Sequence, residues 1–135
     1  MYYFIKCLKN YANFNGRASR AELWYFLLFW SIFYFVVILI DRHIGYNFIS
    51  LKDLPLNSYL PIGNFYSDIG ILIFFYRPLT IVPSFAVIVR RLHDMNMSGK
   101  WAYSFLIPPV GILLLFYLVK SGDKNENQYG DVPDK

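Results

Sequence analysis

The sequence predicts an all-α membrane protein with three transmembrane helices, the second and third kinked by proline, and an N-terminal amphipathic interfacial helix. The strongest observation is residues 23–40, eighteen consecutive residues without a charge, a run long enough to cross the bilayer core. Two further apolar stretches, 69–89 and 101–119, provide the other crossings. The composition agrees, because 56% of the 135 residues are hydrophobic and only 16% are charged, unlike a typical soluble domain. We therefore predict a single membrane domain over residues 1–135.

The N-terminal helix is predicted over residues 2–14. Phe4 and Leu8 lie on one helical face, whereas Lys6 and Lys9 lie on the other. Such an amphipathic helix can lie in the plane of the lipid headgroups. The alternative is that it packs on the rest of the protein.

The first membrane helix is predicted over residues 20–40. Ser19 and Glu22 have the spacing of a capping box, in which each side chain satisfies a backbone amide of the first turn. Residues 41–68 contain several prolines and glycines and no apolar stretch long enough to span. We predict a loop there.

The second membrane helix, residues 69–94, contains Arg77, Pro78 and Pro83. Proline removes a backbone donor and disfavours a helical residue before it. The apolar residues of this segment outweigh the insertion cost of a central arginine, about 3 kcal/mol. We predict a break at residues 76–78 that leaves Arg77 at the interface. A continuous helix with Arg77 buried among other helices would instead favour a channel.

The third membrane helix is predicted over residues 99–119, with Ser98 as its N-cap. Pro108, Pro109 and Gly111 should kink it at mid-depth. Residues 120–135 are polar, and we predict an irregular tail.

Three crossings would place the two chain ends on opposite sides of the membrane. Residues 1–22 and 90–100 would share one side, with seven lysines and arginines against five on the other. The positive-inside rule then favours a cytoplasmic N-terminus and an external tail.

A polar cluster is expected at one membrane interface. Asp94 follows Arg91 and Arg90 by three and four residues, so it can pair with either on a helix. We expect both acids of the cluster to pair with arginines. One interpretation is a site for a lipid headgroup or a partner, because guanidinium groups match phosphate oxygens; the other is structural, with the arginines anchoring helix ends and neutralising the acids. The candidate residues are Arg17, Arg20, Glu22, Arg90, Arg91, His93 and Asp94.

Other chemistry is poorly supported by the sequence. The single cysteine, Cys7, excludes an internal disulfide framework. Asp123, Asn125 and Asn127 resemble the start of an EF-hand loop, but Gln128 stands where that loop requires glycine. We expect no metal, no cofactor and no enzymatic activity. The net charge of +4 indicates topology and headgroup contact rather than nucleic-acid binding.

Three motifs occur in order along the chain: residues 15–24 (NGRASRAELW), residues 90–94 (RRLHD) followed by Ser98-Gly99, and residues 127–130 (NQYG) with Pro133. In these the chain resembles the small bacterial inner-membrane proteins of the YhaH/YhaI type, domain-of-unknown-function family 805. The resemblance implies a multi-pass protein of the bacterial inner (plasma) membrane. It implies no activity and no catalytic residues.

Two functions from different classes remain. The first is a non-enzymatic adaptor or lipid-contacting module, whose partners are membrane lipids, a second copy or another membrane protein. The alternative is a small oligomeric channel or transporter subunit that uses Arg77 and the proline kinks. The predicted crossings contain few hydroxyl groups besides Arg77, which is poor lining for an aqueous path. We therefore favour the first.

Overall fold

The computed structural model describes residues 2–45, 47–50 and 68–133. Most of the predicted loop over residues 41–68 lies outside the described residues. The helices are α1 (Tyr2–Lys9), α2 (Arg20–Ile44), α3 (Ile71–Asp94), a 3-10 helix (Gly99–Leu106) and α4 (Pro108–Leu118). Two short strands, β1 (Asn47–Ser50) and β2 (Asp68–Gly70), pair antiparallel, with Asn47 opposite Gly70.

The chain forms two compact units. The first comprises Met1–Phe29 with Ile81–Lys135, and the second comprises Trp30–Thr80. The core of the first unit is built from apolar residues of α1, α2, α3 and the C-terminal segment, namely Cys7, Ala18, Leu23, Phe26, Ala86, Val87, Leu92, Ala102, Leu114 and Leu118.

Helices α2 and α3 are long and apolar enough to cross a membrane, as predicted for the first two crossings. α2 begins at Arg20 as predicted, because the Ser19 hydroxyl accepts the Glu22 amide at 3.2 Å. Along α2 large apolar side chains remain exposed, including Leu28 at 52% and Phe35 at 61%. Such a surface is typical of lipid contact rather than of a soluble protein.

The start of α3 is set by Asp41, a residue of α2. Its two carboxylate oxygens accept the amides of Leu72 at 3.1 Å and Ile73 at 2.9 Å. They satisfy two of the amides that a helix N-terminus leaves without a partner. Asp41 is 7% exposed, and a Cβ atom at Gly70 would overlap its side chain. Only glycine therefore fits at residue 70 beside this cap.

The predicted break at residues 76–78 is wrong. α3 is continuous from Ile71 to Asp94, with Pro78 inside it. The cap from Asp41 starts the helix seven residues before Pro78, and the Thr80 hydroxyl donates to the Tyr76 carbonyl at 2.9 Å just beyond it. Hydroxyl groups of this kind help membrane helices to tolerate proline.

Helix α1 is shorter than predicted and packs on α2. The Phe4 ring lies 5.8 Å from the Phe26 ring and 5.5 Å from the Phe29 ring, and Cys7 is fully buried. On this face the helix therefore packs on the rest of the protein, which was the alternative to an interfacial helix. Ile5 and Leu8, beside Phe4 on the apolar face, stay exposed.

A third membrane-spanning helix is not confirmed. The predicted segment 99–119 consists of two short helices that meet at Ile107, where a backbone with ψ of 100° separates them. A Cβ atom at Gly111 would lie 3.2 Å from the Phe105 Cα atom, so α4 packs closely against the end of the 3-10 helix. The two prolines begin α4 instead of kinking a longer helix, because proline suits the first helical positions.

We expect Asp41→Ala to destabilise the start of α3 by about 1–2 kcal/mol, the usual cost of removing a cap. Hydrogen exchange should accelerate at the Leu72 and Ile73 amides. Asp41→Asn keeps one acceptor oxygen and should have a smaller effect. If Asp41→Ala left the exchange of both amides unchanged, the cap would not set the start of this helix.

Candidate functional site

Glu22 is one of two buried carboxylates around which the predicted cluster forms in the first unit. It lies in the first turn of α2 and is 0% exposed. Arg90 of α3 donates from Nη1 to Glu22 Oε1 at 2.6 Å, and Lys6 Nζ lies 3.4 Å from Oε2. The Cys7 thiol faces the same carboxylate, with Sγ 3.6 Å from Oε1. Three helices thus meet at one negative charge.

Asp94, the last residue of α3, is the second buried carboxylate and is 4% exposed. Arg17 approaches its Oδ1 with Nε at 3.0 Å and Nη2 at 2.8 Å. Arg91 donates to the other oxygen from Nη1. The prediction that both acids pair with arginines is therefore confirmed. Two arginines on one carboxylate form a strong, directional network, because charged hydrogen bonds are stronger than neutral ones.

The C-terminal tail is part of this network. Besides Asp94, the Arg17 guanidinium donates to the carbonyls of Asp123 at 2.6 Å, Asn125 at 2.8 Å and Gly130 at 3.2 Å. The Asp123 amide donates to the Asp94 carbonyl at 2.8 Å. The predicted irregular tail is therefore held in place by hydrogen bonds to its backbone, most of them from the Arg17 side chain.

His93 also connects the tail to the cluster. Its ring stacks on Tyr129, with centroids 3.9 Å apart and 2° between the planes. Its Nδ1 atom lies 3.1 Å from the Gly16 carbonyl, and Asn127 donates to the His93 carbonyl at 2.9 Å. The side chain is 9% exposed. It acts here as a packing and hydrogen-bonding group between the two ends of the chain.

Arg91 joins the cluster to the end of α4. Its Nε donates to the Leu118 carbonyl at 3.2 Å, and its Nη2 donates to the Lys120 carbonyl. Carbonyls at a helix C-terminus lack partners within the helix and carry partial negative charge. A buried guanidinium is a suitable partner for them.

Arg20 differs from the other predicted residues. It is exposed, and among the described residues it donates only to the Val119 carbonyl, at 3.4 Å. It lines a groove of about 570 Å³ together with Ser19, Ala21, Arg91, Asp94, Ser121, Gly122, Asp123, Lys124, Val132 and Pro133. Arg91 and Asp94 of the buried network are thus part of the groove's lining.

Positive charge exceeds negative charge within the cluster. Among the described residues of this unit, the buried charged side chains are three arginines, Arg17, Arg90 and Arg91, and two acids, Glu22 and Asp94. Backbone carbonyls compensate part of the excess. The Nε and Nη2 atoms of Arg90 have no hydrogen-bond partner among the described residues. Glu22 Oε2 likewise has no hydrogen-bond partner among the described residues, and three buried guanidinium groups against two carboxylates leave an excess of one positive charge.

Arg77 lies in the second unit. It is exposed, its Nη2 donates to the Tyr34 hydroxyl at 2.7 Å, and its guanidinium lies 5.8 Å from the centroid of that ring. The contact is compatible with a cation–π interaction. Arg77 is thus not buried as the channel alternative requires.

Comparison with known proteins identifies the family. The family model described as "Protein of unknown function (DUF805)" matches residues 11–131. The chain belongs to the DUF805 family. It is 36% identical over 134 residues to "Inner membrane protein YhaH" of Escherichia coli (strain K12), covering 98% of this chain and 97% of the relative. It is 33% identical over 134 residues to "Inner membrane protein YhaI" of the same strain, covering 98% and 96%. No solved structure matches.

These relatives confirm the resemblance drawn from the three motifs. With them and its two long apolar helices, this DUF805 chain is an inner-membrane protein. Arg17, Glu22, Arg90, Arg91, His93 and Asp94 all lie within the matched range. The structure brings these six together, whereas Arg20 lies at the exposed rim of their cluster.

Sequence analysis missed three contributors to this DUF805 site. The sequence places Lys6 on the polar face of the N-terminal helix and excludes a disulfide framework at Cys7, but no local pattern links either residue to Glu22. The tail carbonyls carry no signal in the sequence, because every residue has one. Among the described residues, His, Cys, Asp and Glu form no group of three or more that could hold a metal ion.

Cys7 provides a direct test of burial in the cluster. Burial, followed by the charge of Glu22, raises the pKa of its thiol from 9.0 to about 12. At pH 8 we expect iodoacetamide to alkylate Cys7 about three orders of magnitude more slowly than an exposed thiol, because the thiolate is the nucleophile. Unfolding should remove the difference. The folded state is favoured by this group below pH 9.0, and the contribution is lost as the pH rises towards about 12.

The matched control is a Cys7→Ser chain carrying Ser121→Cys, an exposed position. Equal alkylation rates for the two single-cysteine chains in the folded state would contradict the buried position of Cys7.

Proposed function

We propose that the chain is a non-enzymatic inner-membrane module that crosses the membrane twice and contacts anionic lipid headgroups with a basic cytoplasmic face. The supporting observation is that the polar cluster gathers the residues before α2, the end of α3 and the tail at one place. Arg17 alone contacts Asp94, Asp123, Asn125 and Gly130.

The segment between Asp94 and the tail supports two crossings rather than three. It leaves the end of α3 and returns to it, since Arg91 binds the carbonyls of Leu118 and Lys120. The eight residues of the 3-10 helix extend about 16 Å. The eleven residues of α4 also extend about 16 Å. Each covers roughly half of the 30 Å hydrocarbon core, which fits a segment that enters the membrane and returns on the same side.

The bend of this segment suits an apolar environment. The Ile107 amide donates to the Ser104 carbonyl at 3.0 Å, and the Ile107 carbonyl accepts the Gly111 amide at 2.9 Å. The backbone amides in the first turn of a helix have no partner within the helix. Pro108 and Pro109 have no amide hydrogen, so two such unpaired donors do not occur at the start of α4. Exposed side chains such as Leu113 at 68% and Phe116 at 71% would then face acyl chains. This satisfies the requirement that backbone groups at membrane depth be paired.

The two-crossing arrangement strengthens the charge asymmetry. Among the described residues that lie at or beyond the ends of the two membrane helices, nine lysines and arginines are on the same side of the membrane as the cluster. Arg42, at the other end of α2, is on the opposite side. The positive-inside rule then places the cluster in the cytoplasm. The nine are Lys6, Lys9, Arg17, Arg20, Arg90, Arg91, Lys100, Lys120 and Lys124.

Lipid contact is favoured over catalysis by the state of the buried groups. Glu22 and Asp94 are held by arginines, which do not deprotonate at cellular pH. Burial keeps the pKa of the Cys7 thiol near 12, so the group stays neutral. The exposed cations, in contrast, are placed to attract the anionic lipids of the cytoplasmic leaflet, each by about 1 kcal/mol near the surface. Membrane lipids are therefore the proposed partners.

Mass spectrometry of lipids that copurify in mild detergent tests this proposal. We expect anionic phospholipids to be enriched over zwitterionic ones relative to the source membrane. The enrichment should decrease at high salt, because headgroup attraction is screened. Arg42→Gln removes one cation from the opposite side and should leave it unchanged. Copurified lipids with the composition of the bulk membrane would contradict the proposal.

A further inference from the structure

We propose that the groove beside the buried network is a binding site for a single phosphate group, held by Arg20 and Lys124. The inference deepens the proposed function and rests on it, because it assigns the headgroup contact to one place. A lipid phosphodiester and a soluble phosphate share the required chemistry.

Two exposed cations line the groove. Arg20 starts α2, and Lys124 belongs to the tail segment that Arg17 holds against Asp94. Neither side chain forms a salt bridge within the part of the chain that the structure describes. Both are exposed, so an incoming phosphate can reach them without breaking an existing ion pair.

Of the two acids that line the groove, Asp94 is neutralised by arginines, whereas Asp123 keeps its negative charge. Asp94 is bound by Arg17 and Arg91, and Asp123 Oδ2 accepts from Asn127 at 3.1 Å. Arg91 in turn is occupied by Asp94 and two backbone carbonyls. Arg20 and Lys124 therefore remain as cations for an external ligand, and their two positive charges exceed the single negative charge of Asp123.

The size and lining of the groove fit a headgroup. Its volume is about 570 Å³, within the range of small-molecule sites in proteins. The hydroxyl-bearing Ser121 lies beside the cations, and Ala21, Val132 and Pro133 supply an apolar wall. A phosphate with a glycerol backbone has this combination of charged, polar and apolar parts. A guanidinium with an ammonium group is a common phosphate-binding pair.

The rigid anchor of the tail explains why Lys124 can serve this role. Its neighbours Asp123 and Asn125 both give their carbonyls to Arg17, at 2.6 Å and 2.8 Å. A Cβ atom at Gly122 would overlap the Asp94 carboxylate. The backbone around Lys124 is thus fixed by the network, which reduces the loss of chain entropy when a ligand binds.

The test uses the full delipidated chain in neutral detergent and native mass spectrometry. Short-chain phosphatidylglycerol, phosphatidylcholine and inorganic phosphate are titrated separately. The groove variant is Arg20→Gln with Lys124→Gln, and the matched control is Lys9→Gln with Lys100→Gln, which removes the same charge from two other exposed positions. Thermal unfolding checks that each variant is folded. Arg20→Lys, which keeps the charge, is a milder variant.

We expect the groove variant to bind phosphatidylglycerol at least about tenfold more weakly, because one lost charged hydrogen bond is worth a factor of about ten. The control should change affinity less than about twofold, as screened surface charges contribute little. Arg20→Lys should lie between the wild type and the groove variant. Inorganic phosphate binding that is lost only in the groove variant would also support the site and would identify a soluble ligand.

Two results would count against the inference in different ways. Equal losses in the groove and control variants, or no loss in either, would overturn the site while leaving a diffuse headgroup contact possible. Equal binding of phosphatidylglycerol and phosphatidylcholine by the wild-type chain, without phosphate binding, would overturn the proposed function as well.

Discussion

The ion pair network at Asp94 is the interaction on which the first unit depends. A buried carboxylate is costly unless opposite charges and hydrogen bonds compensate it. Arg17 and Arg91 supply this compensation, and each uses its remaining donors on backbone carbonyls of the C-terminal segment. One negative charge therefore fixes three parts of the chain that are distant in sequence. The second network, at Glu22, adds α1 to the same region through Lys6.

Because of this network, the apolar segment after α3 does not form the single membrane-spanning helix that its hydropathy suggests. Its uncharged length fits a membrane span, but its last carbonyls belong to Arg91, which lies one turn before the residue where the segment departs. A straight helix cannot begin near the end of α3 and also end beside Arg91. Two short helices that meet at Ile107 can, with Pro108 starting the second. The exposed groove also depends on the network, because Arg17 holds the tail that forms one of its walls.

Much of this arrangement could be predicted from local patterns. The capping spacing of Ser19 and Glu22 predicted the start of α2, and the spacing of Arg91 and Asp94 predicted their ion pair. Contacts made by backbone carbonyls could not be predicted, since they depend on chain position and not on side-chain identity. The break at residues 76–78 was wrongly predicted because it rested on the local effects of Pro78 and Arg77. Asp41 caps α3 from 31 positions away along the chain, and no local pattern indicates such a contact.

The central claim, that the network holds the tail beside the residues before α2, is tested most directly by finding on which side of the membrane the tail lies. Single cysteines at Asn15, Arg42 and Ser121, all exposed, are introduced into a Cys7→Ser chain and labelled in intact cells with a membrane-impermeant maleimide, before and after the inner membrane is permeabilised. If the network joins both chain ends, residues 15 and 121 should react only after permeabilisation, and residue 42 should react before it. Reaction at residue 121 in intact cells, with residue 15 protected, would contradict the account and restore three crossings.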